Sequence, residues 1–191
     1  GAGHWQSRWE QLFPTFRRVQ QDNWDTPQRE DWIAVLDKAI SECKKPVLLI
    51  GHSLGCITSV HLPHQVARRI NGALLVAPAD PERRGVLADF APVPYQALPY
   101  PSIVVASSNN PFCPARLAGA YARAWGSEFV RLQEAGHINI DSGHGDWPLG
   151  LALLQSLAGG VAFAPFAHPE FSISTPLFGT LTADRKSTRL N

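Results

Sequence analysis

The amino-acid sequence predicts an α/β fold with a mostly parallel sheet and helices on both of its faces. Four short runs of apolar side chains alternate with helix-length segments; the runs are residues 47–50, 73–76, 103–106 and 129–132. Consecutive apolar residues are typical of strands buried on both faces of a parallel sheet, and strands that alternate with helices indicate βαβ units. The composition agrees, because 45% apolar and 17% charged residues in a chain of 191 exclude disorder, a collagen-like repeat and a coiled coil.

Two amphipathic helices are predicted before the first apolar run. Apolar residues at helical spacing from Trp5 to Phe13 predict a short helix, which Pro14 ends. Residues 16–19 are predicted as a short strand. A second helix is predicted over residues 27–43, and its apolar face contains Trp32, Ile33, Leu36 and Ile40.

Three further helices are predicted between and after the apolar runs, over residues 54–70, 115–125 and 148–157. Residues 78–101 are rich in proline and lack a periodic pattern, so they are predicted to be a long connection beside a functional site. The aromatic residues of this connection predict apolar pocket walls for the acyl or alcohol group of a substrate; they are Phe90, Tyr95 and Tyr100.

The sequence predicts one domain over residues 1–157 that is incomplete at its N-terminus. The chain contains no methionine and begins Gly1-Ala2-Gly3, which favours a natural start upstream. Residues 158–191 are predicted to be a tail outside the domain, because their pattern is apolar but aperiodic. Residues 184–191 read like the translation of a sequencing adapter and are excluded from the predicted fold.

Charge and hydropathy exclude several classes of partner. Seventeen basic residues against sixteen acidic ones give a net charge of +1, so neither a nucleic-acid partner nor a basic membrane-binding surface is expected. No apolar run is long enough to cross a membrane and no signal peptide is present, which predicts a cytoplasmic protein. The three cysteines, Cys43, Cys56 and Cys113, match neither a zinc site nor a disulfide scaffold, so reduced thiols and no metal are expected.

The first apolar run leads directly into a Gly-x-Ser-x-Gly motif, Gly51-His52-Ser53-Leu54-Gly55, and a predicted helix. This order of strand, motif and helix predicts a nucleophile elbow, a sharp turn that exposes the hydroxyl of Ser53. Side chains at Gly51 and Gly55 are expected to collide with the neighbouring strand and helix. The backbone N–H of Leu54 is the expected oxyanion donor. The alternative is that Ser53 only caps the helix.

A serine hydroxyl needs a base, and in this fold the base follows an acid along the chain. His137 follows the fourth apolar run and is the candidate base; His144 is its closest competitor. The acid is expected after the third run, where the loop contains Asn110 and no carboxylate. The Asn110 amide oxygen accepts a hydrogen bond but cannot stabilise an imidazolium by charge. Asp80 and Asp141 remain alternative acids, although each is also a typical loop or capping residue.

Four blocks of sequence occur in one order: GHWQSRWE at residues 3–10, GHSLG at 51–55, VAPAD at 76–80, and GHIN at 136–139 with GDWP at 145–148. Together they resemble the YdeN and retinoblastoma-binding-protein-nine family of small serine hydrolases over residues 1 to about 157.

This resemblance implies an α/β-hydrolase fold with a Ser-Asp-His triad. It assigns the nucleophile to Ser53, the base to His137 and the acid to Asn110, where the family loop usually reads Asn-Asp-Pro. It also implies that the first central strand is missing. The family's Gly-rich loop just upstream of residues 4–6 is implied to supply the second oxyanion donor, and Gly1-Ala2-Gly3 is the expected remnant of this loop. Losing one such donor costs about a hundred- to a thousandfold in a serine protease.

The sequence therefore predicts a serine hydrolase that cleaves a small ester, thioester or amide through an acyl-serine intermediate, without a metal or organic cofactor. A catalytically silent member that binds a protein or a small ligand in the same cleft stays open, and Asn110 favours it. A nucleotide-binding Rossmann fold is disfavoured, because the glycine turn does not read Gly-x-Gly-x-x-Gly.

Overall fold

The computed structural model describes residues 1–159, so most of the predicted tail, including residues 184–191, lies outside the described residues. Across the described range the chain forms four strands: β1 (Val47–His52), β2 (Ile70–Val76), β3 (Ser102–Ser107) and β4 (Glu128–Leu132). Its α-helices are α1 (Trp5–Leu12), α2 (Arg29–Ser41), α3 (Leu54–Val60), α4 (His64–Ala67), α5 (Ala115–Trp125) and α6 (Pro148–Leu157). All four predicted apolar runs lie within strands.

The four strands form one sheet in the order β1-β2-β3-β4, and every neighbouring pair is parallel. The ends of the strands are in register, since His52 pairs with Val76 and Ser107 pairs with Leu132. The loops that follow the strands therefore meet at one edge of the sheet. In open α/β sheets this carboxyl edge is where ligands bind.

Helices cover both faces of the sheet, as the sequence predicts. One apolar core contains buried side chains of α2, α3, α4 and α5, and the other contains side chains of α1 and α6. Successive residues of β2 alternate between the two cores, with Leu75 in the first and Leu74 and Val76 in the second. Stacked indoles join α1 to the start of α6, because the ring centroids of Trp9 and Trp147 are 6.0 Å apart and their planes are almost parallel.

Two of the predicted elements are wrong. Residues 16–19 form no strand, because the backbone N–H of Arg18 donates to the Glu10 carboxylate and not to a neighbouring strand. The predicted helix over residues 54–70 is interrupted: α3 ends at Val60, and α4 begins after Pro63. A proline lacks the N–H that a continuous helix needs, and Ile70 already belongs to β2.

Strand β1 is less buried than its apolar run predicts. Leu49 is buried, but Val47, Leu48 and Ile50 are only partly buried. Strand β1 lies at the end of the described sheet and pairs with β2 alone, so its side chains have fewer neighbours than those of β2 and β3.

The proline-rich connection contains two short 3₁₀ helices, Pro81–Arg83 and Gly85–Phe90. Phe90 and Tyr100 are buried in the core with α2 and α5, so the prediction that they line a substrate pocket is wrong. Only Tyr95 of the three predicted wall residues is exposed. Within residues 1–159, no helix is long and apolar enough to cross a membrane.

Candidate active site

The turn between β1 and α3 holds Ser53 in a strained backbone conformation, with φ 53° and ψ −118°. Hydrogen bonds fix this geometry: the Ser53 N–H donates to the Val76 carbonyl, and the Ser53 carbonyl accepts from the N–H groups of Cys56 and Ala79. An ordinary N-cap residue has an extended backbone and a side chain that accepts a helix N–H, whereas Ser53 has a positive φ and forms no capping bond. The turn therefore has the geometry of a nucleophile elbow, and the capping alternative is not supported.

The two glycines of the motif differ. A Cβ atom at Gly51 would lie 3.0 Å from the backbone nitrogen of Cys56 and 3.1 Å from its Cα, so the helix can approach the strand only because residue 51 has no side chain. At Gly55 a Cβ atom would meet nothing within 4 Å. The expected collision is found at Gly51, and the same expectation for Gly55 is wrong.

Leu54 is the first residue of α3, so its backbone N–H has no acceptor within the helix. Leu54 directly follows Ser53, which places this donor beside the hydroxyl-bearing residue. The carbonyl of Gly1 accepts from the His4 N–H and the Ser7 hydroxyl. The second oxyanion donor is predicted in the loop near Gly1, and it stays a prediction.

His137 and Asn110, predicted from separate parts of the chain, are in contact. The loop after β3 holds Asn110 and the loop after β4 holds His137, with 3.1 Å between His137 Nδ1 and Asn110 Oδ1. The same oxygen accepts the backbone N–H of Phe112 at 3.2 Å. An N–H cannot donate to an NH₂ group, so the Phe112 N–H fixes the orientation of the Asn110 amide. His137 must then carry its proton on Nδ1, which leaves Nε2 free to accept one.

Neighbouring polar residues lock these two loops together. Asn109 Oδ1 accepts from the Gly136 N–H at 2.7 Å and from the Ser107 hydroxyl at 2.8 Å, and the Ser108 hydroxyl accepts from the Glu134 N–H at 2.9 Å. The position of the imidazole therefore depends on the whole Ser-Ser-Asn-Asn segment at residues 107–110.

Two histidines that were not predicted as site residues, His52 and His4, lie beside His137. The His52 ring lies 4.7 Å from the His137 ring, and His52 Nε2 is 2.9 Å from the His137 carbonyl. His4 lies 4.9 Å from His52. The motif blocks contain both residues, but nothing in the sequence indicates that α1 packs against the elbow. Phe112 completes the cluster, with its ring 4.6 Å from that of His137.

This environment disfavours a charged imidazole. Burial, followed by the charges of His52, His4 and Arg84, lowers the pKa of His137 to about 3. Burial is also the main cause that lowers the pKa of His52 and of His4 to about 4. No carboxylate is among the groups that act on His137. The three imidazoles are therefore neutral at pH 7, and His137 is able to accept a proton.

The alternative site residues lie elsewhere in the described part of the chain. Asp80 accepts the backbone N–H of Glu82 and lies 4.0 Å from Arg83. Asp141 belongs to the 3₁₀ helix Ile140–Ser142. His144 contacts the Ser142 hydroxyl. None of the three forms a hydrogen bond with the side chain of Asn110 or His137 in the described chain, and Asn110 is the candidate acid that the fold brings to the His137 ring.

Two of the three cysteines do not offer a competing nucleophile. All three are free, and Cys56 and Cys113 are buried. Burial raises the pKa of Cys113 to about 12 and that of Cys56 still further, so both thiols are protonated at neutral pH. Within residues 1–159, no group of three histidine, cysteine or acidic side chains is placed to hold a metal ion.

The chain matches the serine hydrolase family over residues 1–156. It belongs to this family. A YdeN-like hydrolase of Pectobacterium atrosepticum is 36% identical and has a TM-score of 0.76, and the match covers 83% of this chain and 84% of that protein. The resemblance inferred from the motif blocks is thus confirmed. A comparison with curated proteins gives no match.

More distant members of the fold agree in architecture. The ydeN gene product of Bacillus subtilis is 21% identical with a TM-score of 0.63, and the match covers 74% of this chain and 81% of that protein. A monoacylglycerol lipase of Paleococcus ferrophilus is 13% identical with a TM-score of 0.58, over 71% of this chain and 77% of that protein. These two similarities confirm the predicted α/β-hydrolase fold.

Proposed function

We propose that this family member cleaves a small ester, thioester or amide through an acyl intermediate on Ser53, with His137 as the base. The observation that carries the proposal is the contact between His137 Nδ1 and Asn110 Oδ1. This contact holds the imidazole in the tautomer whose Nε2 accepts a proton. The imidazole and the Ser53 elbow follow strands that end at the same edge of the sheet. Family membership supports the hydrolase class.

In the proposed reaction the Ser53 oxygen attacks the substrate carbonyl carbon, and the Ser53 proton passes to His137 Nε2. The negative charge that develops on the carbonyl oxygen is stabilised by the Leu54 N–H. When the tetrahedral intermediate collapses, the bond to the leaving group breaks and the leaving group takes the proton from Nε2. A water molecule then attacks the acyl carbon and gives one proton to His137 Nε2. The bond to the Ser53 oxygen breaks, Ser53 takes the proton from Nε2, and the carboxylic acid is released.

Asn110 sets the expected rate of this reaction. In a serine protease, replacing the triad aspartate by asparagine costs about ten-thousand-fold in turnover, because the histidine is held in the wrong tautomer. Here the Phe112 N–H turns the Asn110 oxygen toward His137, so the productive tautomer is retained. What Asn110 lacks is the negative charge that would stabilise the imidazolium. We therefore expect a slow hydrolase.

A fluorophosphonate probe tests the proposal, because it reacts with an activated serine hydroxyl and needs no knowledge of the substrate. We expect labelling of the chain that Ser53→Ala reduces by about a thousandfold or more, in line with the loss of a nucleophilic serine in other hydrolases. Ser41→Ala is the matched control, since Ser41 lies on the surface at the end of α2. Labelling that persists in a folded Ser53→Ala variant would contradict the assignment.

A second function has one observation in its favour. A catalytically silent member would bind a protein or a small ligand in the same cleft, and Asn110 at the acid position supports it. The two proposals differ in the fluorophosphonate experiment. A silent member leaves Ser53 unlabelled both in the native chain and after Asn110→Asp, whereas a hydrolase is labelled faster after that substitution.

We also propose that the protein acts in the cytoplasm. The free thiols of Cys43, Cys56 and Cys113 support a reducing compartment.

A further inference from the structure

The proline-rich connection brings the charged side chain of Arg84 to the aromatic edge of the candidate active site. The Arg84 guanidinium lies over the ring of Phe112, 5.5 Å from its centroid, and the same ring lies 4.6 Å from the ring of His137. Arg84 is exposed, and Phe112 is partly exposed. A single aromatic ring thus separates a permanent positive charge from the imidazole.

No acid of the described chain neutralises this charge. Arg84 takes part in none of the ion pairs within residues 1–159, whereas its neighbour Arg83 lies 4.0 Å from Asp80. Asn110 is uncharged and His52 and His4 are neutral at pH 7, so Arg84 is the charged one of the groups that act electrostatically on His137. A guanidinium keeps its charge throughout the accessible pH range. The surroundings of the imidazole therefore attract an anion.

The predicted apolar pocket does not compete for the substrate. Phe90 and Tyr100 are buried in the core and unavailable to a ligand. The connection instead places the Arg84 guanidinium over the Phe112 ring, and a guanidinium binds carboxylates through a planar set of donors.

We propose that the preferred substrates carry a carboxylate on the acyl group, and that Arg84 is the residue that selects them. This inference rests on the proposed function, since it names the substrate class of the Ser53 site. The scissile carbonyl lies at Ser53, and the carboxylate reaches past the Phe112 ring to the guanidinium.

A matched pair of esters tests this selection: 4-nitrophenyl hexanoate and the mono-4-nitrophenyl ester of adipic acid, which has the same number of acyl carbons and a carboxylate in place of the terminal methyl group. The measured quantity is the ratio of kcat/KM for the anionic ester to that for the neutral ester, after subtraction of the Ser53→Ala background. We expect Arg84→Gln to lower this ratio about fivefold, which is the size of an exposed charge pair. Arg84→Lys should retain most of the ratio.

Arg116→Gln is the control for net charge, because Arg116 is an exposed residue of α5 that forms no ion pair in the described chain. We expect it to leave the ratio unchanged. High salt should lower the ratio of the native chain toward that of Arg84→Gln. A ratio that Arg84→Gln leaves unchanged would overturn the inference and show that Arg84 only packs on Phe112.

Failure of the proposed function has a different signature, since neither ester would then be hydrolysed in a Ser53-dependent manner. The selection itself is still measurable without turnover. We expect hexanoate, but not the neutral hexanamide, to shift the ring-proton NMR signals of His137 in the native chain and in Arg84→Lys. Equal shifts in the Arg84→Gln variant would overturn the inference.

Discussion

The two halves of the candidate site are built in different ways. The Ser53 half is a single turn between β1 and α3, held by backbone hydrogen bonds to residues near it in the sheet. The other half joins two loops that are more than twenty residues apart in sequence, and side-chain hydrogen bonds from Asn109, Ser108 and Asn110 hold them together.

The halves also differ in what they contain. The elbow holds the strained serine, the Leu54 N–H and the glycine that lets the helix approach within one turn. The loop half has the geometry of a base and its orienting partner, but it lacks the carboxylate charge. Geometry and charge are therefore separable in this protein, because Asn110 supplies the hydrogen bond of an acid without its charge.

The largest expected change comes from restoring that charge. Asn110→Asp keeps the acceptor of the Phe112 N–H and makes the hydrogen bond to His137 charge-assisted. Such a bond contributes about 1.5–3 kcal/mol, so we expect Ser53-dependent ester hydrolysis to rise about 10- to 100-fold. The measurement is kcat/KM for a 4-nitrophenyl ester at pH 7.

Asn109→Asp is the matched control for this change. It adds the same charge one residue earlier, but Asn109 Oδ1 faces the Gly136 N–H and the Ser107 hydroxyl and does not contact His137. A rate increase that is equal in the two variants would mean that any nearby charge is sufficient. A rate that stays constant in Asn110→Asp would mean that the missing charge does not limit the reaction.

The same difference between the halves decides what the sequence could predict. Ser53 and Leu54 follow from five consecutive residues and the strand before them, because the elbow is local. His137 follows from the order of strands, and Asn110 from the place of one loop in that order. The contacts of His4, His52 and Arg84 depend on how α1 and the proline-rich connection pack, and no local pattern encodes that packing.

The wrong predictions have the same origin. Residues 16–19 have the apolar pattern of a strand, but a strand also needs a partner, and the Arg18 N–H bonds to Glu10. Phe90 and Tyr100 have the side chains of pocket walls, but the connection folds them into the core. Residue type indicates what a side chain is able to do, and only the packing of distant segments decides whether it is accessible.

The second prediction tests the elbow itself, through its two glycines. We expect Gly51→Ala to lower the free energy of unfolding by about 1–3 kcal/mol, because the new Cβ would press on the backbone of Cys56, which cannot move aside as a flexible side chain would. Gly55→Ala should be neutral or stabilise by up to about 1 kcal/mol, since its Cβ meets no atom and alanine favours the helix.

Urea denaturation measures both free energies of unfolding and requires no activity. Each variant serves as the control for the other, because both add one methyl group to the same motif. Equal destabilisation in the two variants would mean that the turn tolerates no Cβ on either side of Ser53, which would contradict the asymmetry of the elbow.

The smallest expected effect is on the pH dependence, and it separates geometry from charge in the loop half. Catalysis needs neutral His137, and its pKa is lowered to about 3, so kcat/KM of the native chain should not fall between pH 7 and pH 5 through protonation of this base.

A carboxylate beside an imidazole raises the pKa of the imidazole by about 1–3 units. In Asn110→Asp the fraction of neutral His137 then decreases as the pH falls, and the rate advantage of this variant over the native chain should be up to about tenfold smaller at pH 5 than at pH 7. Asn109→Asp leaves the Asn110 amide hydrogen-bonded to His137 Nδ1, so its rate should depend less on pH than that of Asn110→Asp. The native chain could instead lose activity between pH 7 and pH 5 with the midpoint of an ordinary histidine. That result would mean that His137 is solvated or paired with a negative charge, and it would contradict the statement that the loop half lacks a charge.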